Sequence, residues 1–266
     1  MKCHQTEQET LAHYNSGDYV TPDGYTSDIA LFTILSDKKE RYKPPEHTLM
    51  LMLIRRAEVD AEGNANVEGG KWALPGGFVR PDENALQAAV RELSEETGIQ
   101  EGSLKHFDTY DEPGRDKRGW VLSNAHYAIV PETSLKERKA SDDADDVRLF
   151  TVKEALKLDL AFDHHTIIKD ALWYIKKDLM LTTRAKVFLP EEFVLSELQG
   201  VLKAVTDNAF VHLDSNFFRK MPNLPFIEPI LEDGEPKKSN RHSKVPARLY
   251  RFTDYEPFVS IYSANY

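Results

Sequence analysis

Apolar residues in this chain fall into short continuous runs and into stripes at helical spacing. Ile29-Ala30-Leu31-Phe32-Thr33-Ile34-Leu35 has no polar alternation and reads as a buried strand, and the run 48–55 reads as a second. The charged stretch 38–45 closes on two prolines and is a loop. Residues 57–70, with Gly63, Gly69 and Gly70, form a longer loop that leads through Trp72-Ala73-Leu74 into the turn signal Pro75-Gly76-Gly77. In 83–97, Leu86, Val90 and Leu93 recur at helical spacing, which predicts a helix entered through Pro81 and Asp82 and stopped by Gly98 in the left-handed conformation. Residues 126–130 read as a strand. Residues 166–180 read as a helix with Ile167, Ile168, Ala171, Leu172 and Ile175 on one side. Residues 1–25 are polar and aperiodic, and are expected to form an arm on the surface.

The pattern changes near residue 180. Helical spacing returns over 193–205 with Leu195, Leu198, Val201, Leu202 and Val205, then in a short helix over 215–221 that carries Arg219 and Lys220. Strand character follows at 227–231 and 247–252, separated by Lys237-Lys238-Ser239-Asn240-Arg241-His242-Ser243-Lys244. Helices followed by a basic two-stranded ribbon are what a winged helix requires. Charge marks the same boundary. The whole chain carries −10, and residues 1–180 hold 23 Lys+Arg against 33 Asp+Glu, whereas residues 181–252 hold 11 against 9. The expected organisation is an arm over 1–25, one domain over 26–181 and a second over 182–266.

A diffuse acidic surface argues against the whole chain coating nucleic acid. One cysteine, Cys3, makes no internal disulfide and no thiolate metal cage, which fits a reducing compartment. The start leads into no apolar signal region, and the longest apolar stretch, 49–54, is too short to cross a bilayer. A cytoplasmic protein without membrane contact is the expectation.

The chemistry is concentrated in 77–98. Glu92, Glu95 and Glu96 stand at i, i+3 and i+4 and share one helix face. Three carboxylates so placed repel, and each raises the others' proton affinity unless a cation joins them. Mg²⁺, or Mn²⁺ in its place, takes such oxygen ligands and retains substrate phosphates in its shell. A metal held there clamps a pyrophosphate and lowers the pKa of attacking water. Arg91 is spaced to pair with Glu95 one turn on and hold it. The competing reading of the three glutamates is a solvated acidic face.

The segment Gly77-Phe78-Val79-Arg80-Pro81-Asp82-Glu83 followed by Arg91-Glu92-Leu93-Ser94-Glu95-Glu96-Thr97-Gly98-Ile99 resembles the signature of the Nudix superfamily at every fixed position and at its spacing. Seven specified residues match by accident in about one in a million chains of this size. The resemblance implies an α/β (α+β) protein: a Nudix α/β/α sandwich with a mixed sheet, followed here by a winged helix-turn-helix domain. It implies Glu92, Glu95 and Glu96 as catalytic metal ligands, with Gly77 contributing to the metal site and Glu83 as an auxiliary ligand or helix-start residue. Three further segments resemble the ADP-ribose pyrophosphatase branch: 72–79, Pro113-Gly114-Arg115-Asp116-Lys117-Arg118-Gly119, and Leu160-Ala161-Phe162-Asp163-His164. The substrate expected is a nucleoside diphosphate linked to a second group, ADP-ribose first, cut to AMP and ribose 5-phosphate.

Arg55, Arg115 and Arg118 are candidates for neutralising substrate phosphates, because guanidinium matches phosphate oxygens in a fork. Arg56 is the neighbouring alternative to Arg55. For Arg115 and Arg118 the alternative is an exposed turn tied to Asp111, Glu112 or Asp116. His164 and His165 are read as packing or supporting residues, since Mg²⁺ favours oxygen. The acidic loop 141–146 is a candidate source of the base that activates water.

Residues 193–199, 216–220 and 246–252 resemble the winged helix of the NrtR (Nudix-related transcriptional regulator) family, which senses ADP-ribose and controls NAD metabolism. That resemblance implies double-stranded DNA as a partner, contacted by Arg219, Lys220, Lys237, Lys238, Arg241 and Lys244, and a homodimer to match two-fold operators. A winged helix used for dimerisation or as a cover for the active site is the alternative. The chain departs from many NrtR regulators in its intact box, and from the family's wing in the long, proline-rich stretch 221–237.

Overall fold

The computed structural model describes residues 6–59, 63–100, 102–137 and 147–255. The arm carries a helix the periodicity did not announce. In α1 (Glu7–His13) Thr6 and Glu9 form a reciprocal capping box, and no residue of the helix is buried. Local capping, not an apolar face, specifies it.

The strands and helices that follow are β1 (Gly24–Asp37), β2 (Glu46–Arg55), β3 (Trp72–Ala73), β4 (Gly76–Phe78), α2 (Ala85–Thr97), β5 (Ser103–Tyr110), β6 (Val121–Ile129), β7 (Val147–Thr151), α3 (Val152–Ala155) and α4 (His164–Leu181). The sheet order is β3-β2-β1-β6-β5, with β4 beside β1 and β7 beside β2. β1 and β6 run parallel, from Gly24↔Val121 to Phe32↔Ile129, and the other pairs are antiparallel, so the sheet is mixed. Strand alternation sends Ile29 and Leu31 toward α2 and Ala30, Phe32 and Ile34 toward α4. With helices on both faces, the near-continuous apolar run of β1 is explained.

One sequence expectation changes here, and one strand had no sequence expectation. The buried face of α2 is Ala85, Ala88, Ala89 and Leu93, whereas Leu86 and Val90 are each 47% exposed. Small alanines let the helix approach the sheet closely, and the larger apolar pair is left outside. Strand β5 was not legible because its exposed and half-buried residues give no clean apolar alternation, and it is held by its pairing with β6 at the edge of the sheet.

The C-terminal unit comprises β8 (Phe193–Val194), α5 (Leu195–Lys203), α6 (Ala209–His212), α7 (Asp214–Lys220), β9 (Ile227–Pro229), β10 (Leu231–Glu232), β11 (Glu235–Pro236), β12 (Lys238–Ser239) and β13 (Ala247–Phe252). β13 is the spine, pairing with β8, β9 and β12. β10 and β11 form the wing hairpin, whose two-residue loop Asp233-Gly234 has positive φ at both positions, 53° and 82°. The α4-side core continues without a break into this unit through Phe193, Leu198, Val201, Leu202 and Phe217. Gly200 of α5 is pressed against the ring of His47 on β2, where a side-chain carbon would overlap the imidazole.

Candidate functional site

The loop and helix of the box are brought together by backbone pairing. β4 lies antiparallel to β1, with Gly77 opposite Ser27 and Gly76 opposite Asp28. α2 starts at an Asn84–Gln87 capping box, two residues later than the periodicity indicated, and stops at Gly98 with φ 73°. A side-chain carbon at Gly77 would overlap the Glu92 carboxylate, so only glycine admits the glutamate against β4.

Arg91 organises the acidic face. Its guanidinium donates to Glu83 at 2.6 and 3.1 Å, to Glu92 at 2.6 Å, to Glu95 at 3.0 Å and to the Phe78 carbonyl at 3.1 Å. The Arg91 hydrogen bonds to Glu83, seconded by the Arg80 N–H donating at 3.0 Å, pull the Glu83 carboxyl down to about 2 against the effect of burial. Glu96 stands apart. Burial pushes its carboxyl up to about 8, and Glu92 and Asp28 add to the rise, while the Gly76 N–H, donating at 2.8 Å, and Arg56 oppose it. A half-buried carboxylate crowded by two others is short of positive charge, and the donors are hard oxygens, so Glu92, Glu95 and Glu96 fit a divalent cation in chemistry. Among the described residues, no three acidic or imidazole side chains converge into a ready cluster, because Arg91 holds Glu92 and Glu95.

Beside Gly76 and Gly77 opens a cavity of about 190 Å³, walled by Asp28, Arg56, Phe78, Arg115, Arg118 and Phe162 among others. Three guanidinium groups therefore face one small space. Arg115 is buried, paired with Asp163 at 2.6 and 2.8 Å and 3.7 Å from Asp28. Arg118 forks onto Asp116, the closest contact being 2.6 Å, and lies 4.9 Å from the Phe78 ring centre and 5.2 Å from that of Phe162. Arg56 lies over the other partner of this stack, 5.0 Å from Phe162, and burial lowers its pKa, with Arg118 adding to the fall. His164 is buried at the back, where Nδ1 accepts the Leu74 N–H at 2.8 Å and burial lowers its pKa.

Arg55 does not line this cavity; it donates to the Gly70 carbonyl at the surface. Neighbouring residues of a strand end point to opposite sides, so sequence alone had no means of choosing between Arg55 and Arg56. Asp28, Phe78 and Phe162 join the site without having been singled out individually. Phe162 has φ 50°, an uncommon backbone for a bulky residue. The acidic loop 141–146 lies outside the described residues.

In the C-terminal unit the basic candidates divide. Lys237 bonds Glu192 at 2.8 and 2.9 Å, and Arg241 bonds Glu197 at 2.6 Å and the Glu192 carbonyl at 2.7 Å. Both are tied into the domain. Lys238 and Lys244 are exposed, and Arg219 and Lys220 occupy the last turn of α7. The wing tip itself carries Glu232, Asp233 and Glu235, all exposed, and its charge opposes phosphate.

Comparison with known proteins accords with this geometry. The NUDIX domain model matches residues 28–171, and the NrtR DNA-binding winged helix domain model matches residues 187–252. The chain belongs to the Nudix family, in the form that carries an NrtR winged helix. It is 30% identical to an ADPR responsive transcriptional repressor, NtrR, of Acinetobacter baylyi, over 94% of this chain and 91% of that one. It is 42% identical over 101 residues to an ADP-ribose pyrophosphatase of Methanocaldococcus jannaschii, covering 38% of this chain and 57% of that protein. The crystal structure of Shewanella oneidensis NrtR has the same fold, with a TM-score of 0.65 at 24% identity over 89% of this chain and 99% of that one. Among the described residues no helix is long and apolar enough to cross a membrane.

Proposed function

We propose that this chain is an ADP-ribose-responsive transcriptional regulator that binds double-stranded DNA through its winged helix. The observation that carries this reading is the pairing of both domains along nearly the full length shared with the Acinetobacter repressor. The ligand enters the cavity beside the box, where Arg56, Arg115 and Arg118 supply positive charge and Phe78 and Phe162 supply flat apolar surface. DNA meets α7 through Arg219 and Lys220, with Lys238 and Lys244 on the flank; Lys237 and Arg241 hold the domain together. The expected assembly is a homodimer, which light scattering would measure. The test is a gel shift with DNA upstream of its own gene and of NAD-salvage genes. Retardation that ADP-ribose alters is the expected result. No retardation, with or without ADP-ribose, overturns the regulator.

A second reading, hydrolysis of ADP-ribose, is favoured by one specific observation: the box is intact, and the half-buried Glu96 accepts the Gly76 N–H at 2.8 Å while the Glu92 charge raises its carboxyl further. Mg²⁺ or Mn²⁺, held by Glu92, Glu95, Glu96 and the Gly77 carbonyl, would supply charge neutralisation and a more acidic water. Water adds to one phosphorus as the bridging P–O bond breaks, giving AMP and ribose 5-phosphate. The residues of the cavity bind and orient the diphosphate for that step. Phosphate-coupled turnover that a Glu95→Gln, Glu96→Gln double variant loses is the expected outcome; tight ADP-ribose binding without turnover leaves a sensor only.

A further inference from the structure

A second, larger hollow lies away from the box, where the two domains meet. It has a volume of about 510 Å³. Its floor is apolar, formed by Leu49, Val152, Leu156 and Leu172 of the Nudix half and Val205 of the winged-helix half. Its rim carries Lys153 on α3, Lys176 on α4 and Lys203 at the end of α5, against one acid, Asp207. Lys203 is 3.1 Å from Asp214, while Lys153 and Lys176 make no ion pair among the described residues. Three ammonium groups from three different helices on one rim are unexpected in a chain of net charge −10. Lys203 has Asp214 beside it, whereas the charges of Lys153 and Lys176 are answered by no carboxylate among the described residues.

We infer that this interdomain hollow is a second small-molecule site, distinct from the box, that takes a phosphorylated compound with a flat apolar ring, of the mononucleotide class. The volume lies within the range of about 300–1,000 Å³ typical of such pockets. The floor suits a ring, and the lysines suit a phosphate monoester as mobile point charges. The position gives the site a consequence. Lys153 and Lys176 belong to the Nudix half and Lys203 to the winged helix, so one bound phosphate ties the halves together. His47 stands in the same wall, its Nδ1 3.0 Å from Ser36 Oγ and its ring against Gly200. An occupant therefore braces the contact through which α5 rests on β2.

The test is photolabelling of the full chain with 8-azidoadenosine monophosphate, followed by peptide mapping. This separates the two sites even if the cavity beside the box also accepts the probe. The expected result is label in 151–156, 172–176 or 203–207, displaced by unlabelled AMP. The Lys176→Glu, Lys203→Glu double variant should reduce that label about tenfold, the effect of reversing two charges facing an anion. Label in 74–78 and 115–118 should persist. Lys153→Ala, at an exposed position, gives a smaller reduction and guards against misfolding of the double variant. Label confined to the cavity beside the box, or hollow labelling that neither the variants nor AMP reduces, overturns the proposal.

Discussion

Gly77 lies directly against the carboxylate of Glu92, leaving no room for a side-chain carbon between β4 and α2. The contact joins the two parts of the box, which are fifteen positions apart in sequence. Replacing Gly77 by Ala should displace Glu92 by a fraction of an ångström or more while leaving the core intact. A displacement near 1 Å costs about 100-fold in turnover. Steady-state hydrolysis of ADP-ribose, alongside circular dichroism to verify folding, checks this. Unchanged turnover would show that Glu92 is not required in its described position.

Arg91 is the counter-ion of three glutamates at once. Arg91→Ala should lower the urea midpoint and release Glu83 from its depressed pKa, so that the variant loses further stability near neutral pH relative to strong acid. The sign follows from Glu83. A carboxylate whose folded pKa is depressed contributes stability above its unfolded value of 4.5, and loses it as pH falls toward about 2. In the variant that acid-side dependence shrinks. Equal pH slopes in both proteins would count against Arg91 as the anchor.

Arg56, not Arg55, faces the cavity. Arg56→Ala should weaken ADP-ribose binding by about tenfold, the loss of one charge-assisted contact with phosphate. Arg55→Ala should have little effect on it. Calorimetry with each variant distinguishes them, and a reversed order would relocate the ligand.

Burial lowers the pKa values of His126 and His164 below the ordinary 6.5. In the folded state both stay neutral where the unfolded chain takes up protons, so their contribution is complete above 6.5 and is lost as pH falls below it. Protonation of His164 at Nδ1 also removes the acceptor for the Leu74 N–H. The urea midpoint should fall between about pH 7.5 and about pH 5.5, and His164→Gln should flatten part of that fall.

Phe217 is fully buried in the winged helix, 5.8 Å from Phe210. Phe217→Ala should cost about 3–5 kcal/mol, the usual loss for emptying an aromatic site in a core. Because the core is continuous with the α4 side of the sheet, a single unfolding transition should shift. Two separated transitions in calorimetry would show that the halves unfold independently.

Patterns that repeat locally were legible in the sequence. The buried runs of β1 and β2 identified themselves because strands covered on both faces have no polar alternation. The box announced Glu92, Glu95 and Glu96 because helical geometry alone places i, i+3 and i+4 together. The pairing of Arg91 with Glu95 followed from the same spacing. Long-range relations were not legible. The choice of Arg56 over Arg55 and the meeting of Asp28, Phe162 and Arg118 around one cavity depend on how β1, the loop after β5 and the start of α4 are brought together. The exposed Leu86 and Val90 and the buried alanines of α2 show the same limit, since a periodic stripe does not say how closely a helix packs. The basic run 237–244 gave its charge in sequence, but only folding decided that Lys237 and Arg241 would be spent on Glu192 and Glu197. Sequence determines what each short segment can be, because turns and helices close over few residues; tertiary structure decides which charges meet, because that is fixed by packing between segments far apart in the chain.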